Sequence, residues 1–256
     1  MMFFVKEVYT ARSTLLITLF CFILVVPARS DVLTQQIRET VNMWRDAVVT
    51  VKVVVELRNT ERKMERLATV VDSSGILMMS LTSIDPTGLG FMPENIEIKV
   101  KEVNIVTPGN EEIPAKIVLR DRDLDLAVIQ PFGMRGKPMT AVAINTHVTP
   151  EVMDQIVIIS RLGSAANYTT MSSLCRISGI ITKPRTLYVP DINISVNGLG
   201  TPVFTTDGEL VGLMLLRTAG QQETSPADLM WGFGSFDIVP VIVPAEELAR
   251  VLKEMP

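Results

Sequence analysis

The feature that most constrains the fold is a succession of short apolar runs, each closed by turn residues. "VVTVKVVVEL" (48–57), "IEIKVKEV" (96–103), "QIVIIS" (155–160) and "LCRISGIIT" (174–182) alternate or run continuously in Val, Ile and Leu. Runs of this length and composition fit strands of a buried sheet better than helices. Between them fall Gly, Pro, Asn, Asp and Ser clusters, so turns recur roughly every 8–12 residues, the spacing of an all-β barrel or sandwich. With 47% hydrophobic residues the chain can fill a sizeable core, and with only 5% aromatics that core is aliphatic.

The reading along the chain follows from this pattern. Residues 31–47 carry Leu33, Ile37, Val41 and Trp44 three or four apart and predict a helix. The charged stretch 58–66 reads as an exposed hairpin connection. Residues 67–80 read as two strands around Asp72-Ser73-Ser74-Gly75, and 85–95 as a loop. Residues 113–131 read as two more strands around an acidic turn. "FGMRGKPM" (132–139) reads as a linker that splits the strands into two sets. Strands resume in "AVAI" (141–144) and continue to "DIVPVIV" (237–243). Residues 244–255 predict a second helix, with Pro244 in its first turn and Leu248, Val251 and Leu252 facing inward.

The first thirty residues have a different logic. Lys6 and Arg12 precede the apolar run "LLITLFCFILVV", then Pro27 and a small-x-small end, Ala28 and Ser30. That order predicts a signal peptide cleaved after Ser30 and a secreted or periplasmic protein; the alternative is an uncleaved anchor. Removing Lys6, Arg12, Arg29 and Glu7 leaves 21 basic and 27 acidic residues, a net charge of −6. No basic tract remains, which argues against a nucleic-acid partner. The mature chain keeps one cysteine, Cys175, read as a buried small hydrophobe, and one histidine, His147, read as a surface-loop residue. One of each builds no ordinary zinc site, and "DRDLD" (121–125) lacks the glycine and closing glutamate of a calcium loop. No metal and no cofactor are expected.

Five phrases, in order, carry a resemblance. They are "RDAVVTV" (45–51), "TVVDSSGILMMSLTSI" (69–84), "AKIVLRDRDLDLAVIQ" (115–130), "NGLGTPVFTTDGELVGL" (197–213) and "VIVPAEELARVL" (241–252). Together they make the chain resemble the trypsin-like (chymotrypsin-fold) serine proteases of the HtrA type over most of its mature length. The resemblance implies an all-β fold of two Greek-key β-barrels with a short N-terminal and a short C-terminal helix. It implies an N-terminal helix over 31–47, a first barrel over 48–135 and a second over 136–256, with no PDZ domain.

The resemblance also places the catalytic positions. A serine protease needs an attacking hydroxyl, an imidazole base and a carboxylate that orients it. Counting from Gly75, the histidine position falls on Thr82; counting back from Pro202, the serine position falls on Leu199. The aspartate position is kept as Asp125, read either as a relic of the triad or as a cap of its own acidic turn. Thr82 is a candidate hydrogen-bond donor to it. Asn197, Gly198 and Gly200 match the oxyanion loop, where Thr201 replaces a glycine. The implied function is that of a catalytically inactive homologue whose old cleft binds a peptide or protein partner. The alternative is an endopeptidase with an unusual catalytic set, for which Ser195 and Lys183 are the candidate pair. Trp231 and Phe233 are candidate cleft residues, although core packing is the plainer reading of Trp231. Met78 and Met79 are read as core. "NYT" (167–169) and "NIS" (193–195) match the N-glycosylation pattern, relevant only in a host that glycosylates secreted proteins.

Overall fold

The computed structural model describes residues 28–89, 97–133, 138–144, 147–192, 198–218 and 238–254. A helix α1 (Ala28–Trp44) and a short 3-10 turn lead into β1 (Val48–Leu57), β2 (Thr60–Val70), β3 (Leu77–Ser80), β4 (Ile98–Val106), β5 (Glu112–Asp121) and β6 (Leu126–Pro131). The second set is β7 (Gln155–Arg161), β8 (Thr170–Ile181), β9 (Leu187–Pro190), β10 (Pro202–Thr205), β11 (Leu210–Thr218) and β12 (Ile238–Pro244), followed by helix α2 (Ala245–Lys253). Each set closes into a six-stranded antiparallel barrel. The first runs β1-β2-β3-β6-β5-β4, and the second β10-β11-β12-β9-β8-β7. Read from β7, the second order is β7-β8-β9-β12-β11-β10, the same Greek-key path as the first. Closure leaves no free sheet edge in either barrel.

Alternation decides what each strand contributes. Val49, Val51, Val53 and Val55 of β1 point into the first barrel, where they meet Leu77, Met79, Ile105 and Ile129. Ile156, Ile158, Val203, Val211, Met214 and Ile242 fill the second. A third apolar cluster takes the residues of opposite phase, among them Val48, Met78, Val128, Val157, Phe204 and Val243, and glues the barrels together. Burying each such side chain contributes about 1.5–3 kcal/mol. Met78 and Met79, both fully buried, thus serve different cores, one between the barrels and one inside the first.

The two helices dock differently. α1 precedes the first barrel but docks on the second. Thr40 Oγ1 donates to Thr206 O, Trp44 Nε1 donates to Gly208 O at 2.9 Å, and the Trp44 ring stacks on Phe204 at 5.6 Å. Gly208, at φ 87, is the turn residue beneath it; a Cβ there would lie 3.2 Å from Thr40 Oγ1. α2 follows the second barrel and buries Leu248 and Val251 in the shared cluster. Leu252 lines an open pocket together with Ile76 and Val118 of the first barrel. A polar clamp adds to this. Tyr168 Oη and Ser164 N both donate to Glu65 of β2, and Arg161 donates to Arg45 O and Tyr168 O.

Several sequence-based expectations need correction. Residues 60–66 are not a connection but the start of β2; the hairpin turn is only Arg58 and Asn59, both left-handed with φ 49 and 63. This end of the β1–β2 ribbon projects into solvent, so Thr60 to Lys63 are exposed and carry no inward-facing pattern. The "AVAI" segment is extended but joins no ladder. Its Val142 N donates to Val70 O and its Val142 side chain fills the shared cluster. Pro244 ends β12 and caps α2 rather than lying in its first turn, with Glu246 and Glu247 next to it at the positive end of the helix dipole.

Candidate functional site

The site is built where β3, the β5–β6 turn, β11 and the loop before β10 converge. Asp125 closes the acidic turn in a left-handed conformation, φ 56, and is 5% exposed. It does not cap that turn. Asp121 does so, accepting from Asp123 N and Leu124 N. The Asp125 carboxylate instead reaches across the fold. Oδ1 accepts from Thr82 N at 2.6 Å; Oδ2 accepts from Ser80 Oγ at 2.7 Å and from Leu216 N at 2.9 Å. Burial pushes its carboxyl above the ordinary value, and the donors from Ser80, Thr82 and Leu216 pull back against that.

Thr82 therefore does meet Asp125, chiefly through its backbone N–H, its side chain adding a weaker pull. Ser80 was missed by the sequence reading. It is fully buried, and its hydroxyl also accepts from Ser83 N, so the turn after β3 is wound around the carboxylate. Its only sequence signal is a serine ending a fully apolar strand, "LMMS".

Across the junction, Leu199 is 1% exposed and packs inside the second barrel with Ile156, Val203, Val211 and Met214. The loop that carries it is tight. Gly200 is left-handed, φ 82, and a Cβ there would fall 2.6 Å from Leu67 O and 3.1 Å from the Met79 Cα. Its N–H donates to Met214 O at 2.7 Å, and its carbonyl accepts from Thr69 Oγ1 at 2.8 Å. Thr201, where a glycine was expected, is fully buried without a positive φ, and its hydroxyl donates to Gly198 O at 2.8 Å. Asn197, Ser195, Trp231 and Phe233 lie outside the described residues.

His147, the sole histidine, has a side chain 84% exposed and stands 4.0 Å from Glu246 of α2. It does not line the cleft at Asp125. Lys183 is exposed in the β8–β9 turn. Cys175 is buried in β8, and burial with nearby Asp191 pushes its thiol up to about 12. The cleft itself holds about 360 Å³ between the barrels. Leu81, Leu124, Leu187, Leu216, Val241 and Val243 give it apolar surface; Thr82, Asp125 and a ring of Arg and Asp side chains give it a polar rim.

Chemically, this is a carboxylate held by three hydroxyl and amide donors, with no imidazole beside it. Opposite it is a loop whose central side chain belongs to a core. The family model of the trypsin-like peptidase domain matches residues 81–213, just over half of the chain, running from beside Thr82 through Asp125 and past the 198–201 loop. No curated protein matches the chain. The double barrel, its Greek-key order and that match lead to one conclusion: the chain belongs to the trypsin-like peptidase domain family.

Proposed function

We infer that the chain is an HtrA-type, trypsin-like homologue that has lost catalysis and keeps its inter-barrel cleft to bind a peptide or protein partner. The observation that carries this reading is the pairing of Asp125 with Thr82 N, Ser80 and Leu216 N, while Leu199 packs into the second barrel. A triad aspartate works by orienting an imidazole. Here its two oxygens already accept three hydrogen bonds, so the carboxylate is satisfied without one. The apolar residues of the cleft and its polar rim suit an extended peptide segment. The sequence of residues 1–30 supports export, with secretion or a periplasmic location as its consequence.

The test is direct. The mature chain from Asp31 is incubated with casein and with a fluorophosphonate probe; neither cleavage nor labelling is expected. A serine labelled by the probe, with labelling abolished by its Ser→Ala change, would instead establish an endopeptidase with an unusual catalytic set.

A further inference from the structure

The polar rim of the cleft is unevenly equipped, and the imbalance points to a ligand. Three acids and three arginines line it, so formal charge cancels. Hydrogen-bonding capacity does not. Asp125 is met by Ser80, Thr82 N and Leu216 N. Asp85 accepts from Thr87 N, Thr87 Oγ1 and, at 3.4 Å, from Arg122. Asp123 accepts from Arg185. Each of the three acids thus has a donor, although Asp123 has only one and stays largely exposed.

The arginines are not. A guanidinium carries five N–H donors and no acceptor. Arg122 uses one on Asp85, and Arg185 uses one on Asp123. Arg217, near the end of β11 and one residue from the Leu216 amide that holds Asp125, has no partner among the described residues. The rim therefore has donors left over, and those of Arg217 are taken by none of the described residues. A neutral peptide uses some of these through its carbonyls. A carboxylate uses them best, because charge-assisted and bidentate contacts to arginine are stronger than neutral ones.

Resting on the proposed peptide-binding role, we propose that the cleft selects acidic peptide segments, with an Asp or Glu side chain of the ligand engaging Arg217. Arg122 and Arg185 complete the rim, already braced by Asp85 and Asp123. The overall negative charge of the chain gives such a ligand no long-range attraction. Selectivity must then come from these short-range contacts, and it persists at physiological salt better than a surface attraction would.

The experiment selects phage-displayed random peptides on the immobilised mature chain and measures the selected peptides by fluorescence anisotropy. Asp and Glu should be enriched, and replacing the acids by Asn and Gln should weaken binding about tenfold or more. Arg217→Ala should cost a similar factor for acidic peptides and little for their amide forms, with Arg217→Lys retaining part of the affinity. Circular dichroism checks that each variant is folded; should Arg217→Ala not fold, Arg217→Gln, which keeps the stem and removes the charge, carries the same comparison. Peptides that bind equally well as acids and amides, or bind Arg217→Ala unchanged, would overturn the acidic preference and leave the cleft role standing. If no peptide is selected at all, the peptide-binding role falls, and the preference with it.

Discussion

The Asp125 corner of the first barrel and the 198–201 loop of the second face one another across the same junction, yet they have been kept in opposite ways. The corner is polar, buried and fully bonded: one carboxylate, two backbone amides and a buried serine. The loop keeps its backbone path through Gly200, but its central side chain is turned into an aliphatic core. A buried carboxylate cannot be given up cheaply, because its donors would be left unpaired. An exposed nucleophile position has no such anchor. Once a reacting group is no longer required, packing energy is available to whichever side chain turns inward. Under the proposed reading, the corner survives for structural reasons and the loop has been absorbed by the fold.

The largest effect is expected at Leu199. Leu199→Ala should cost about 2–5 kcal/mol in a urea melt, as buried leucine truncations do. Leu199→Ser combined with Thr82→His should be similarly unstable and remain unlabelled by a fluorophosphonate, because the side chain at 199 points into the barrel. A stable, labelled double variant would break the comparison.

Next comes Asp125→Ala, which strands Ser80, Thr82 N and Leu216 N. A loss of about 2–4 kcal/mol is expected, with Asp125→Asn in between because its amide oxygen still accepts one or two of these bonds. Thr82→Ala should cost less than about 1 kcal/mol, since the backbone N–H makes the contact and survives the change. A Thr82→Ala loss as large as that of Asp125→Ala would mean that the hydroxyl, not the amide, holds the corner.

The smallest expected effects are in pH dependence. The Asp125 carboxyl is raised in the folded state, so the folded chain binds its proton more tightly than the unfolded one. Its contribution is fully present below the ordinary value of 3.8 and is lost as pH rises through the raised one. Asp125→Asn should abolish that slope in Tm against pH. Cys175 behaves in the same direction at the alkaline end. Its contribution declines as pH rises from 9.0 towards about 12, and the native thiol should resist iodoacetamide at pH 8 until the protein is unfolded.

The barrels were legible because β1, β6 and β7 are nearly continuous apolar runs, each side chain facing one of two apolar environments. The start of β2 was not legible, because both faces of that ribbon end meet water and Glu61, Arg62 and Lys63 show no preferred side. "AVAI" misled for the converse reason: its Val142 is buried by the gap between barrels rather than by a ladder. At the site, the position of Asp125 followed from its motif. Of its partners only Thr82 was anticipated; Ser80, 45 residues away, and Leu216, 91 away, were not. The direction of Leu199 was invisible too. A leucine in a glycine-rich turn looks the same in sequence whether it faces a cleft or a core.

The docking of α1 across the junction has a mechanical consequence. α1 is latched to the barrel it does not lead into, and α2, seated on its own barrel, buries Leu248 and Val251 in the cluster both barrels share, so the backbone between the barrels is not the only thing joining them. A protease that nicked the 132–139 connection would leave two fragments still buckled together by Trp44 on Phe204, by Leu248 and Val251, and by Glu65 under Tyr168. The two halves, produced as separate polypeptides, should find each other in solution and rebuild the cleft between them.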